Sequence, residues 1–212
     1  MAAPKQRRRQ GNGPVSVNLI RKEAIRLFGE KTYPAVGMRD ISNAVGLLPG
    51  SLYVHISSKE EILLAIVEQG IHNYLDSMTP IAESDLPASE RLREAIKAHM
   101  RVLAATREQT RVTFHQWTYL NDQNQQSVIE LRRRYEDLFD RIIEDGVKSG
   151  EFRHPRHPHI SVLAIIGMLN SATEWYSPTG PLSADDIGEV LANGALVGLQ
   201  HRPETALAPS RS

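Results

Sequence analysis

Residues 38–59, MRDISNAVGLLPGSLYVHISSK, restrict the fold more than any other part of the chain. Ile41, Ala44 and Val45 stand at i, i+3 and i+4, the apolar stripe of a helix covered on one side. Gly46 then interrupts the run where a backbone with φ > 0 ends a helix. Pro49 follows at the first position of a second helix, where its missing N–H costs least. Gly50 and Ser51 leave that helix's opening turn almost without side-chain bulk. Leu52 and Ile56 supply its buried side, beside polar-tipped Tyr53 and His55. Two helices this short do not stand alone. With a preceding helix they form a helix-turn-helix, the unit that lays its second helix in the major groove of DNA.

The rest of the chain supplies that support. Residues 1–14, MAAPKQRRRQGNGP, are polar, broken by Gly and Pro and without periodicity, so they read as a disordered basic arm. Lys5, Arg7, Arg8 and Arg9 either lie along DNA or keep a solvated tail soluble. Val17 to Lys31 is the first helix, with Ile20, Ala24, Leu27 and Phe28 on one face, and Pro34 marks the loop after it. The third helix should end near Ile56. Ser58 and Glu61 have capping-box spacing, which puts Lys59 in the first turn of a fourth helix running to about Met78. Residues 79–87 read as a loop. Further helices follow at 88–106, around 107–120, at 126–148, at 160–176 and at 184–199. No stretch alternates like a strand, so the chain is all-α, with about nine helices. The expected organisation is an arm (1–14), a DNA-binding domain (15–60), a helical effector-binding and dimerisation domain (61–200) and a tail (201–212).

Gly46 to Ile62, GLLPGSLYVHISSKEEI, resembles the signature of the tetracycline-repressor (TetR) family of transcriptional regulators, as do FGEKTY (28–33) and MRDIS (38–42) upstream. The resemblance covers about the first 65 residues. A later segment, WYSPTGPL (175–182), is similar to one in some regulators of lipid and steroid breakdown. Three positions depart from the pattern. Gly37 stands where the family places a Thr or Ser cap, Leu48 replaces the Ser/Thr cap of the recognition helix, and Ile56 replaces Phe. Gly37 and Leu48 offer no hydroxyl to a backbone N–H or a phosphate.

Charge agrees with a polyanion partner at one end. The chain is neutral overall, but residues 1–60 carry ten Lys and Arg against four Asp and Glu, a balance of +6, and the remainder carries −6. With no cysteine there is no disulfide framework and no thiolate metal site, and no apolar run of membrane-spanning length occurs. The expectation is a cytoplasmic protein that does not enter a membrane. Nucleotide-binding glycine motifs and His-Glu-x-x-His are absent, and Ser51 has no ordered base nearby, so neither an enzyme nor a cofactor is expected. His154, His157 and His159 sit in a proline-broken loop and read as solvated, not as metal ligands. The competing class is an all-α acyl-CoA-type carrier or enzyme that ignores DNA; salt-sensitive retention on heparin or operator DNA separates the two.

The last two helices are too rich in Gly, Ala and aliphatic residues for surface helices. Leu163, Ile166 and Gly167 on one, with Ile187, Leu191, Gly194, Ala195 and Gly198 on the other, are the expected homodimer face, a four-helix bundle across a two-fold axis as in the family. The resemblance also implies an effector pocket within each subunit. Its candidate wall is Met100, Leu103, Phe114, His115, Trp117, Tyr119 and Leu138, with Asn170, Glu174 and Trp175 as polar or stacking contacts; ordinary core packing is the competing reading for each. No Lys or Arg occurs between Arg156 and Arg202. A largely uncharged hydrophobic effector, steroid-derived for instance, is therefore expected ahead of an acyl-CoA, whose phosphates would need Arg107, Arg111 or residues 132–134.

The expected mechanism follows. A homodimer presents two recognition helices to a palindromic double-stranded operator. Tyr53, His55 and Lys59 hold phosphates, Arg39 and Gly50 adjoin them, and Leu48, Pro49 and Ser51 touch base edges. A small effector selects a form with the wrong half-site spacing and releases the DNA.

Overall fold

The computed structural model describes residues 16–200, so Lys5, Arg7, Arg8 and Arg9 of the basic arm, and the 201–212 tail, lie outside the described residues. Within them are nine α-helices and one 3-10 turn: α1 (Val17–Lys31), α2 (Met38–Ala44), α3 (Pro49–Leu52), α4 (Lys59–Ala82), α5 (Ala88–Ala105), α6 (Arg107–His115), the 3-10 turn Trp117–Tyr119, α7 (Asp122–Ser149), α8 (Pro158–Trp175) and α9 (Ala184–Leu199). No strand occurs among the described residues, and no helix there is long and apolar enough to cross a membrane.

The first three helices close around Ile20, Ala24, Phe28, Ile41 and Leu52, none of which keeps exposed surface. The α1 stripe is thus the lid over the two short helices, which resolves their instability in isolation. Continuous with this core, α4 runs outward and packs on α5, α6 and α7, while α9 lies along α5 and α8 rests on α7, α6 and α5. Gly70 of α4 allows α6 to cross closely, since a Cβ there would lie 2.0 Å from Thr113 Oγ1.

Several helix ends differ from the sequence expectation, each for a local reason. The fourth helix continues through Pro80 to Ala82 instead of stopping near Met78. Proline removes one N–H, yet the turn holds because Thr79 Oγ1 donates to the Leu75 carbonyl (2.7 Å) and Glu83 N–H to that of Thr79 (3.0 Å). The third helix is only four residues long; Ile56 is reached by turns, with His55 and Ile56 N–H both donating to the Leu52 carbonyl. The Ser58 cap is present, its Oγ accepting from Glu61 N–H at 3.0 Å, but Glu61 reaches back to Ser57 N–H (2.8 Å) and not to Ser58. The reciprocal box is displaced by one residue. The seventh helix starts early, at Asp122, because the Asn121 side chain accepts from Asn124 N–H at 2.9 Å.

The turn between α2 and α3 is built by hydrogen bonds that end a helix in a left-handed residue. Gly46, at φ 72°, donates to the Asn43 carbonyl (3.2 Å), and Leu47 N–H returns to Ser42 (2.8 Å). Gly46→Ala has room for its methyl group, but an L-residue resists this φ. The expected loss is about 1–2 kcal/mol of stability, readable as a lowered denaturant midpoint with an unchanged m-value.

Candidate nucleic-acid interface

The exposed end of the first module carries the residues singled out above. Leu48 is 77 % exposed, Tyr53 55 % and Val54 82 %, while Leu52 between them is wholly buried. Leu52 and Ile56 therefore anchor α3, and the opposite side faces solvent. Arg39, Pro49, Gly50, Ser51 and His55 are exposed on the same module, and among the described residues Arg39 enters no ion pair. Leu48 takes an extended backbone before Pro49 and caps α3 without a side-chain bond. The missing hydroxyl at Gly37 is answered differently: Gly37 N–H donates to Asp40 Oδ2 at 2.7 Å, so the carboxylate three residues on secures the start of α2.

Lys59 departs from its expected phosphate role. Its ammonium turns inward, donating to the carbonyls of Tyr33 (2.9 Å) and Val36 (2.8 Å) and lying 4.0 Å above the Tyr33 ring. Burial lowers its pKa, but the two carbonyls and the ring face give it a local partner set. It positions the α1–α2 loop from behind the DNA face.

The joint between the module and the helical domain is a set of polar contacts that sequence reasoning missed. Gln116, at the end of α6 and 6 % exposed, accepts from Tyr33 N–H at 2.6 Å and donates to the Phe28 carbonyl at 2.9 Å. Tyr119 stacks on Tyr33 with ring centroids 5.8 Å apart. Glu60 accepts from the Asn121 N–H and from Asn124 Nδ2, both at 2.8 Å, and these bonds lower its pKa. Tyr119 thus belongs to this joint and not to a pocket wall. A glutamine between His115 and Trp117 carries no periodic signal, so only the tertiary contact reveals it.

The expected pocket residues divide into three groups. Met100 and Leu103 are fully buried and Leu138 half-buried in the core. Phe114 is half-buried against Tyr74 (5.4 Å), Tyr135 (6.2 Å) and His99 (6.5 Å), and Trp117 lies beside Arg132. His99, Tyr74 and Tyr135 were not among the expected wall residues. Asn170 is partly buried, with its Oδ1 unpaired. The remaining three lie on the outside, where α6 and α8 end: Glu174 pairs with Arg111 (3.5 Å), His115 bonds Thr173 (3.2 Å), and Trp175 is 51 % exposed. An α8 turn that ends at Tyr176, which is buried, faces Glu174 and Trp175 outward.

The α8–α9 face also divides. Ile166 is buried in its own subunit and leaves the expected interface, while Ile187, Leu191 and Ala195 are partly buried against the core. Leu163, Gly167, Gly194 and Gly198 are exposed, together with Ile160, Val190 and Val197. An apolar groove between the helices, lined by Ala164, Ile165, Met168, Gly194 and Leu199, opens on this face.

Two family models match the chain: the N-terminal region of bacterial regulatory proteins of the tetR family over residues 20–66, and a tetracyclin repressor-like C-terminal domain over residues 85–199. The HTH-type transcriptional repressor KstR2 of Rhodococcus jostii is 28 % identical over 185 residues, spanning 83 % of this chain and 87 % of the relative. The crystal structure of the TetR family regulator PfmR from Thermus thermophilus superposes with a TM-score of 0.78 at 31 % identity, covering 86 % of this chain and 99 % of that one. AibR, solved in complex with isovaleryl coenzyme A and operator DNA, shares the fold with a TM-score of 0.74 at 22 % identity, over 86 % of this chain and 97 % of AibR.

Proposed function

The chain belongs to the TetR family of bacterial regulatory proteins, and we propose that it acts as a homodimeric repressor released from a palindromic operator by a small effector with a large apolar part. A ligand-responsive transcriptional regulator that binds DNA, and not an enzyme, is the functional class. The observation that carries the DNA reading is the α3 end itself: Leu52 and Ile56 are sunk in the core while Leu48, Ser51, Tyr53 and His55 project free.

Tyr53 and His55 hold backbone phosphates, with Arg39 adding charge from α2, and these contacts set register without reading sequence. Leu48, Pro49 and Ser51 meet base edges. The apolar pair suits a thymine methyl, and the Ser51 hydroxyl accepts or donates one hydrogen bond. Dimerisation through the exposed α8–α9 face sets the spacing of two such ends, because one recognition helix reads too few base pairs alone. The effector, an acyl-CoA or a steroid-derived metabolite, enters the domain of α4 to α8. It favours a conformation in which α6 and its Gln116 contact reposition the α1–α3 module, and operator affinity falls.

Tyr53→Ala should weaken binding to the operator and to an unrelated duplex by a similar factor, about tenfold, in gel-shift titrations. Ser51→Ala should instead change the preference at one position of each half-site. Wild-type affinity in Tyr53→Ala would remove Tyr53 from the interface.

A further inference from the structure

Resting on the reading that an effector binds inside the helical domain, we propose that Arg132 receives an anionic oxygen group of that effector, a carboxylate or a phosphate carried on an apolar body. The ligand is then charged at one end, contrary to the largely uncharged molecule expected from the arginine-free stretch 157–201.

Arg132 projects from α7 into the core side of the domain. Its guanidinium carbon lies 5.2 Å from the Trp117 ring and 5.7 Å from the Phe114 ring, and its innermost nitrogen, Nη1, is sealed from solvent with no hydrogen-bond partner. Several arginines of this domain have acids, Arg91 with Asp145, Arg101 with Asp185, Arg111 with Glu174 and Arg141 with Glu83, and Arg107 and Arg153 reach backbone carbonyls. Among the described residues no carboxylate stands within ion-pair distance of Arg132. Aromatic faces compensate a cation only partly, and a half-buried guanidinium whose sealed Nη1 has no acceptor is a costly arrangement for a resting protein, eased only at longer range by Glu136 on the same helix. It becomes favourable when a planar or tetrahedral oxyanion meets the fork of its N–H groups.

A second observation points into the same region. His99 is wholly buried, and its Nδ1 is held by the Tyr135 hydroxyl at 2.8 Å, yet its Nε2 has no partner. Burial lowers its pKa to about 3, so the ring is neutral and offers a hydrogen bond without adding charge. Tyr135 lies one turn beyond Arg132 on α7. The Phe114 ring neighbours both orphaned groups, 5.7 Å from the guanidinium and 6.5 Å from the imidazole. Two unsatisfied polar groups flanking one half-buried aromatic ring describe a binding site closed on its own side chain. Movement of Phe114 would open a path in which the anion meets Arg132 and the adjoining apolar body passes along Met100 and Leu103. Trp117, in contact with Arg132, adjoins Gln116, so occupation of the site bears directly on the joint to the DNA-binding module.

The test uses the full chain carrying Trp175→Phe, which leaves Trp117 as the fluorescent reporter. Dodecanoate, methyl dodecanoate and dodecanoyl-CoA are titrated below their micelle concentrations, with and without Arg132→Met. At least one of the two anions should bind about tenfold or more tightly than the ester, and Arg132→Met should abolish that preference while leaving ester affinity within about twofold. Preference for dodecanoate assigns a carboxylate, and preference for dodecanoyl-CoA alone assigns a phosphate. Equal affinity for all three, a preference that survives Arg132→Met, or no response to either anion would overturn the proposal. Without ligand, Arg132→Met should melt at or above the wild-type temperature, because an unpaired charge is replaced by an apolar chain of similar length. A lower melting temperature would mean that the guanidinium is already compensated, and the site would fall with it. Operator binding is followed in parallel: its absence in the wild type counts against the regulator reading, whereas an Arg132-independent ligand response counts against the anion site.

Discussion

Val197→Asp is expected to convert the dimer to monomers and to lower operator affinity by about two orders of magnitude or more. Val197 is 63 % exposed on α9, beside Gly194 and Gly198, so the aspartate is harmless to an isolated subunit. In a two-fold interface the same substitution occurs twice, and each carboxylate would be stripped of water opposite an apolar surface with no Lys or Arg of the facing helices to meet it. The arginine-free stretch 157–201 means that neither helix can supply one. Two recognition ends held together gain effective concentration, and that gain is lost when they separate. Sedimentation velocity gives the mass, and fluorescence anisotropy on labelled operator gives the affinity. A variant that stays dimeric places the interface elsewhere; one that becomes monomeric yet binds operator at wild-type affinity breaks the link between dimer and half-site spacing.

Gln116→Leu is expected to cost about 2 kcal/mol of stability and to uncouple ligand from DNA. The substitution keeps most of the volume but leaves the Tyr33 N–H buried without its 2.6 Å acceptor. The Phe28 carbonyl suffers less, because Thr32 N–H still donates to it at 3.0 Å. Packing of α1 along α6, the Tyr33–Tyr119 stack and the Glu60 contacts remain, but the hydrogen bonds that tie Phe28 and Tyr33 to the end of α6 are lost. Operator binding should therefore survive in weakened form while effector-driven release is blunted. Denaturant unfolding and anisotropy with and without dodecanoyl-CoA read the two effects separately. A variant with wild-type stability and full release would show that Gln116 carries neither role.

How much of this was legible in the sequence depends on range. The α2–turn–α3 unit was readable because its signals are local: a three-four stripe ending at Val45, a glycine at φ 72°, a proline at the first helical position. The α9 cap, Ser183 with Asp186 three residues on, carries the same kind of local signal. Lys59 shows where locality fails. Its place in the first turn of α4 was right, but its side chain obeys the Tyr33 and Val36 carbonyls, which are 26 and 23 residues away. Gln116, 88 residues from its Phe28 partner, and the orphaned groups of His99 and Arg132 depend on tertiary neighbours and have no linear pattern. Ile166 shows the limit of composition. Gly- and Ala-rich helices marked an unusual face correctly, yet periodicity alone did not assign which of their aliphatic residues belonged to the subunit's own core.

The central claim is that a symmetric pair of α3 ends grips duplex DNA. It is tested most directly by the salt dependence of binding to an operator located by footprinting the protein on the DNA upstream of its own gene, with stoichiometry measured in the same titration. Two chains per site are expected, with log K falling linearly against log salt at a slope of about −5 or steeper. A monomer that shows no retention on duplex DNA even at low ionic strength would contradict the account.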